Sequence, residues 1–360
     1  RWWSPIINAE HLAMRDRAAI FDLTAFCVFD VVGPGALECV QSVSMRQMDV
    51  KLGRVVYTPV LTPRGGFRSD LTVMRLGDEH FRVVTGGAHG MADLKWYADH
   101  TGPEAQVVDL TSSWCTLGLW GPRARDILAA TTSADISNEG FPFASCRTIE
   151  VGSLRVLASR ISYVGDLGWE LYVPIEQGAK LWDTVWEAGE PHGVLPAGIG
   201  VYGTTGRLEK CYRAFGFELD GEYDVVEAGM AWGKVKEQDF IGKEAHVRQR
   251  ESEPATVMCA LTVDDHSPNG GPPRYMLGGE PVVTRDGRPL TDAKGRRSFV
   301  TSAGAGPSIG KHILMSYLPP EHASVGAELG VEYMTERYPV TVASADSTPV
   351  FDPANERIRS

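Results

Sequence analysis

The sequence predicts an α+β chain that ends in an all-β barrel or sandwich. Two observations predict it. Apolar strands run into Gly-Pro and then into amphipathic helices at two places, residues 28–32 before Gly33-Pro34 and residues 115–120 before Gly121-Pro122. Near residues 251–253 the composition then shifts to short β-rich runs separated by Gly, Pro and Asp-Gly turns, the pattern of a small all-β unit.

Each element follows from local pattern. Residues 11–19 read as a helix leading into strand 28–32. Pro34 suits the start of the next helix, 35–43, where its missing N–H costs nothing. Strands follow at 55–61, 71–76 and 81–85, the last two joined as a hairpin through Gly77-Asp78-Glu79, and then a helix at 89–99. The second unit, strand 115–120 and helix 123–130, repeats the syntax of the first and makes the pair look like a weak internal repeat. Strands 147–151, 154–162 and 169–173 precede a helix at 176–192 with Trp182, Val185 and Trp186 on one face, and a further helix covers 198–210. The tail carries strands at 257–263, 282–284, 313–317, 329–333 and 338–342.

Composition excludes several classes of function. With 360 residues, 43% hydrophobic and 22% charged, the chain can bury a large core without disulfides or metals. A net charge of -11 argues against nucleic acid or an anionic membrane as partner, because phosphates would be repelled on approach. The densest basic run, Lys294-Gly295-Arg296-Arg297, reads as a hairpin tip. The six cysteines form no C-x-x-C and read as reduced core thiols; the nine histidines show no zinc spacing, so no metal is expected. No stretch is apolar enough to span a bilayer and no signal peptide opens the chain, so a cytoplasmic protein is expected. The first residue is Arg1 rather than Met, which leaves open that the chain is part of a longer one.

Three motif-like stretches lead elsewhere. Gly306-Pro307-Ser308-Ile309-Gly310 matches G-x-S-x-G, but a strand-like run follows where a nucleophile elbow needs a helix. Residues 304–311 have Ala305 at the first glycine of a phosphate loop and His312 in place of its Ser or Thr. No G-x-G-x-x-G follows an early strand, so no flavin or dinucleotide domain is expected within this chain.

Three other segments combine glycine with polar groups. In Arg64-Gly65-Gly66-Phe67-Arg68-Ser69-Asp70-Leu71-Thr72, Asp70 and Thr72 share one side of a strand, facing either solvent or a site. In Tyr163-Val164-Gly165-Asp166-Leu167-Gly168-Trp169-Glu170-Leu171-Tyr172, Glu170 faces opposite to Trp169 and Leu171, again toward solvent or a site. Gly206-Arg207-Leu208-Glu209-Lys210-Cys211-Tyr212-Arg213 places Arg207 and Glu209 in a helix that ends in a Tyr-Arg turn, where they read as a structural ion pair or as part of a site.

Together, and in order along nearly the whole chain, these segments resemble the folate-binding aminomethyltransferase family, whose best-known member is the T-protein of the glycine cleavage system. The carriers are Gly65-Gly66-Phe67-Arg68-Ser69-Asp70-Leu71, Tyr163-Val164-Gly165-Asp166-Leu167-Gly168-Trp169-Glu170 and Arg207-Leu208-Glu209, with Glu227-Ala228-Gly229, Asp239-Phe240-Ile241-Gly242-Lys243-Glu244, Val300-Thr301-Ser302 and Gly310-Lys311 continuing the match. Within the family the sequence looks most like the C-terminal, folate-binding half of dimethylglycine oxidase and dehydrogenase flavoenzymes. Gly206 departs from the usual Leu, and Cys211 from the usual Gly. Lys210-Cys211-Tyr212 echoes a non-catalytic, iron–sulfur-related branch but lacks its flanking glycine and Gly-Gln-Glu, so Cys211 is expected to be a packed thiol.

The resemblance implies a three-subdomain cloverleaf: residues 1–50 with about 140–225 as a discontinuous first α+β unit, 51–139 as a second, 226–253 as a connecting segment and 254–360 as a C-terminal β-barrel. It implies tetrahydrofolate as cofactor and no flavin or metal in this chain. Asp70 would be the catalytic acid/base. Glu170, Tyr163, Thr72, Arg207 and Arg337 would bind folate, Arg207 either through the anionic end of folate or by buttressing Glu209. The implied activity is capture of a methylene unit from an iminium or aminomethyl donor, forming 5,10-methylenetetrahydrofolate, with a flavin-containing domain or subunit as partner. The alternatives are a stand-alone demethylase giving 5-methyltetrahydrofolate and a folate-binding module without chemistry.

Overall fold

The computed structural model describes residues 4–345 and 347–360. Three sheets organise it. The first has six strands in the order Leu195–Pro196, Ala19–Asp22, Trp114–Trp120, Gly168–Pro174, Leu154–Ser159, Cys146–Val151. The second has five, Val55–Leu61, Phe67–Gly77, His80–Thr85, Cys27–Val32, Gln106–Asp109. The third has six, Val282–Thr284, Glu328–Tyr333, Glu336–Ser344, Val257–Val263, Lys311–Leu318, Val300–Gly306. Every pairing is antiparallel except Ala19–Asp22 with Leu195–Pro196. The α+β class and the C-terminal antiparallel β unit agree with the sequence reading.

Several elements differ from expectation. The first helix is Pro5–Asp16, begun by Ser4, whose side chain accepts from the Ile7 N–H, and by Pro5 at the helix start. Residues expected at that helix's end instead begin the strand Ala19–Asp22, where Ala19, Ile20 and Phe21 are fully buried. Cys27–Val32 was assigned with the first unit, yet it pairs with His80–Thr85 and Gln106–Asp109 in the second sheet. The strand Val300–Gly306 was not foreseen because Ala303-Gly304-Ala305-Gly306 carries no β-branched side chain; pairing along Lys311–Leu318 imposes it. The long helix is a regular α-helix only over Gly178–Gly189, with a tight single turn at each end. The helix expected over 198–210 is a π-helical turn, Val201–Gly206, running into the short α-turn Arg207–Glu209.

The two Gly-Pro turns share a physical cause. Gly33 and Gly121 have φ of 110° and 134°, and a Cβ on either would lie 2.5 Å from backbone oxygens, of Glu104 for the first and of Met14 and Arg17 for the second. Only glycine lets the chain fold that closely onto its neighbour.

One apolar cluster joins the units. Leu61 and Phe67 from the second sheet meet Leu208, Leu219 and Tyr223 from the connecting chain and Ile313, Met315 and Tyr317 from the third sheet. Burial of each such side chain contributes about 1.5–3 kcal/mol. The tail then returns to the first unit. Lys210 Nζ donates to the Asp352 carboxylate at 3.0 Å, and Asp166 takes both Arg15 and Arg357 at 2.5 Å. Among the described residues no helix is long and apolar enough to cross a membrane.

Candidate active site

Asp70 lies in the strand Phe67–Gly77, where alternation leaves Arg68, Asp70 and Thr72 half-buried on one face and Ser69, Leu71 and Val73 buried on the other. Register sets Tyr57 opposite Thr72, diagonal to Asp70. Its O–H donates to Asp70 Oδ2 at 2.7 Å. Burial pushes the Asp70 carboxyl up to about 6, against the Tyr57 hydrogen bond, which lowers it; the charge of Asp93 raises it further and His89 lowers it. The Tyr57 ring is 40% exposed, yet desolvation and then the Asp70 charge hold its phenol well above the ordinary range. Behind Asp70, buried Asp93 accepts from Ser69 Oγ and Thr85 Oγ1, both at 2.7 Å, and faces Arg68 at 3.5 Å.

Glu170 belongs to the first sheet, in the strand Gly168–Pro174. Trp169 and Leu171 point into that sheet's core. The opposite face is not solvent, because Glu170 is only 4% exposed. The Tyr172 O–H donates to Glu170 Oε2, and among the described residues no cation pairs with the carboxylate. Burial therefore pushes Glu170 up to about 7, resisted only by the Tyr172 hydrogen bond. Register places Ser159 directly across from Glu170 and Thr116 across from Tyr172. Both hydroxyls are buried without a hydrogen-bond partner among the described residues. Gly168 makes the strand possible, since a Cβ there would lie 1.9 Å from the Leu119 carbonyl oxygen.

Tyrosines bring the two carboxyls into one site. Tyr163 donates to the Arg213 carbonyl at 2.6 Å, stacks on Tyr212 with centroids 5.8 Å apart, and meets Tyr202 at 5.1 Å. Tyr202 stacks on Trp120 at 5.6 Å and tilts against Phe26 at 5.9 Å. Burial, then the charges of Glu170, Tyr163 and Asp70, hold the Tyr202 phenol well above its usual range, so both carboxyls act on this ring. Tyr202 sits on the π-helical turn, a distortion that recurs at functional sites.

The structure thus gathers Asp70, Thr72, Tyr163 and Glu170, and treats the two arginines differently. Arg207 is buried, and its guanidinium is taken by Glu218 Oε2 at 2.8 Å, Ser302 Oγ at 2.7 Å and the carbonyls of Gly203 and Tyr212. It does not buttress Glu209, which is bound by His11 at 2.9 Å, Arg15 at 3.0 Å and Ser308 Oγ at 2.8 Å. Ser308, the centre of the G-x-S-x-G run, is a ligand of that carboxylate. Arg337 is exposed in the strand Glu336–Ser344, 3.6 Å from Glu332, and is not brought to the cluster. Cys211 is a buried thiol at φ 54°, a conformation that explains why glycine suits this turn.

Tyr57, Tyr172, Tyr202 and His89 were not singled out from sequence. Tyr172 was within reach, because i and i+2 of a strand share a face; Tyr57 depends on register with a partner strand and carries no local signal. Among the described residues no group of three or more His, Cys, Asp or Glu is placed to hold a metal.

Comparison with known proteins places this geometry. The chain matches the GCVT N-terminal domain over residues 1–236 and the glycine cleavage T-protein C-terminal barrel domain over 268–352. It is 30% identical to the aminomethyltransferase of Halothermothrix orenii, over 92% of this chain and 89% of that protein. It is 28% identical to human mitochondrial dimethylglycine dehydrogenase over 99% of this chain, and spans only 40% of that protein's length. The aminomethyltransferase T of the Bartonella henselae glycine cleavage system shares the fold, with a TM-score of 0.80, 24% identity, and 95% and 90% of the two chains covered. The chain belongs to the aminomethyltransferase family of the glycine cleavage T-protein, a family of folate-dependent transferases.

Proposed function

We propose that this chain transfers a one-carbon unit from an iminium or aminomethyl donor to tetrahydrofolate, with 5,10-methylenetetrahydrofolate as product. The observation that carries the reading is Glu170, a carboxylate 4% exposed and, among the described residues, without a cation and with one side-chain donor. Such a group is costly unless a ligand supplies further donors. The unpartnered Ser159 hydroxyl across the strand pair and the rings of Tyr163, Tyr202 and Trp120 complete a pocket chemistry suited to a flat heteroaromatic group with adjacent N–H donors.

When bound, tetrahydrofolate supplies the amine nitrogens that accept the carbon. Glu170 accepts the paired N–H donors of the pterin and fixes its orientation. Tyr163 and Thr72 line the same space. Asp70, held by Tyr57 and ionised above pH 6, orients the reacting amine and takes the proton that it loses as the carbon bridges. The likeness to two fifths of dimethylglycine dehydrogenase supports a flavin-containing domain or subunit as the source of the oxidised donor.

Anaerobic calorimetric titration with tetrahydrofolate tests the reading. Saturable binding near one-to-one is expected. A folded chain that takes up no heat-detectable ligand would overturn it.

A further inference from the structure

Glu170 and its neighbour across the strand pair, Ser159, are 4% and 0% exposed, so a bicyclic ring reaches them only after a side chain moves aside. Register fixes what lies beside them. Phe21, Gly118, Glu170 and Ser159 form one row across four strands of the first sheet. The Trp120 indole lies on Gly118, since a Cβ there would fall 2.2 Å from Cζ3. Tyr202 in turn stacks on Trp120 and stands edge-on to Phe21, with centroids 6.4 Å apart. Rings thus close the row on the Gly118 side of Glu170.

Most of these rings are fixed. Trp120 is fully buried and its Nε1–H donates to the Ile161 carbonyl at 2.8 Å. Phe21 is buried within the strand Ala19–Asp22, and Tyr163 is tied to Arg213 and Tyr212. Tyr202 differs. It is half-buried, and among the described residues its ring is held by other rings alone, its hydroxyl making no hydrogen bond. Its backbone is the π-helical turn Val201–Gly206, inside a stretch that carries Gly198, Gly200, Gly203 and Gly206. Such turns persist over few residues, and each glycine lowers the cost of leaving the helical form. Gly200 and Gly206 also serve packing, because a Cβ on either would fall 2.8 Å from Ile7 or Val164. Gly203 does not: the nearest atom to a Cβ there would be Ile199 Cγ1 at 3.9 Å, so freedom of the backbone is what glycine supplies at that position.

We propose that Tyr202 is the gate of the pterin pocket: the turn Val201–Gly206 opens to swing the ring off Trp120, a flat heteroaromatic ligand passes to Glu170 and Ser159, and the turn closes again over it. Only ring contacts part in this motion, while the hydrogen bonds of Trp120 and Tyr163 stay in place. Opening lies on the way in and on the way out, so the stiffness of the turn sets the rates of binding and release together and leaves affinity alone. The inference rests on the reading of Glu170 as the anchor of the pterin.

Anaerobic stopped-flow binding of tetrahydrofolate, read by tryptophan fluorescence, compares the wild type with G203A and Y202A. Ala favours a helical turn over Gly, and the site has room for the methyl group. G203A is therefore expected to slow association and dissociation alike, each by on the order of 5-fold, at unchanged affinity. Y202A is expected to speed both. Wild-type rates in G203A, a change in its dissociation alone, or association in Y202A no faster than in the wild type overturns the gate. Failure of the wild type to bind tetrahydrofolate removes the underlying reading instead, and hydrogen exchange in the ligand-free chain still decides on the gate. Amides of the turn Val201–Gly206 are expected to exchange faster than those of the helix Gly178–Gly189, and more slowly in G203A than in the wild type. Equal exchange of the turn in G203A and the wild type overturns it.

Discussion

Tyr57 and Asp70 are 13 residues apart in sequence and joined by a 2.7 Å hydrogen bond from phenol to carboxylate. The bond favours the ionised form of Asp70 against the burial that disfavours it. Tyr57→Phe is therefore expected to move the acid limb of the rate profile to higher pH, with turnover above that limb less affected. A pH profile of kcat checks it. An unchanged limb would mean that Asp70 does not set it.

The two carboxyls are expected to separate function. Asp70→Asn should leave tetrahydrofolate affinity within a few-fold of wild type and remove most turnover, by about 100-fold or more. Glu170→Gln should weaken binding by about 1–3 kcal/mol, because one acceptor of the pair becomes a donor. Calorimetry alongside single-turnover rates distinguishes the two patterns, and the reverse assignment would refute both roles.

Asp70 and Glu170 should contribute to stability with a pH dependence opposite to that of ordinary acid denaturation. Both carboxyls are raised in the folded chain, Asp70 from 3.8 to about 6 and Glu170 from 4.5 to about 7. The folded state thus binds more protons than the unfolded one between roughly pH 4 and 7. Their stabilising contribution is complete below pH 4 and is lost as pH rises through 6 and 7, by at most about 3 kcal/mol each. D70N and E170Q should accordingly gain stability over the wild type at pH 8 and gain little at pH 4. Urea midpoints at the two pH values measure it.

Arg207 is expected to act on folding before it acts on ligand. Replacing it by Met strands Glu218, which is fully buried, and should cost about 3–5 kcal/mol. A variant of unchanged urea midpoint and lost folate affinity would place the guanidinium against the ligand.

All six thiols are between 1% and 6% exposed, and burial raises each of them, Cys146 and Cys259 to about 12. A disulfide reagent should find none within minutes in the native chain and all six after denaturation.

Much of the architecture was legible because it is written locally. The hairpin around Gly77-Asp78-Glu79 carries its turn residues between two strand-like runs, and Val257–Val263 is an apolar run bounded by polar residues, each in one short stretch. The π-helical turn at Val201–Gly206 has no such signature, and Gly203 and Gly206 give it no side chains to read. Alternation also told which way Glu170 points, but not that its face is covered, since that depends on packing between distant segments. Arg207 shows the same limit: its partners Glu218 and Ser302 lie 11 and 95 residues away, and sequence alone left its role open between two alternatives. Tyr57, Tyr202 and His89 were missed for this reason, each acquiring meaning only from a neighbour brought in by the fold.

The brace of Arg15, Asp166 and Arg357 sets an order of events as well as a geometry. Arg357 binds the Arg15 carbonyl across 342 positions of chain, and Arg15 also donates to the carbonyl of Val164, next to Tyr163, at 2.6 Å. A contact of such separation is closed late, because the intervening loop entropy must be met first. The sheets can collapse early from their hairpins, and Arg15 can tie the loop carrying Tyr163 through Val164 and Asp166, but the second arginine on Asp166 comes only when residue 357 arrives. Made on a ribosome, the chain would close this brace last, on a loop that its first helix had already gripped.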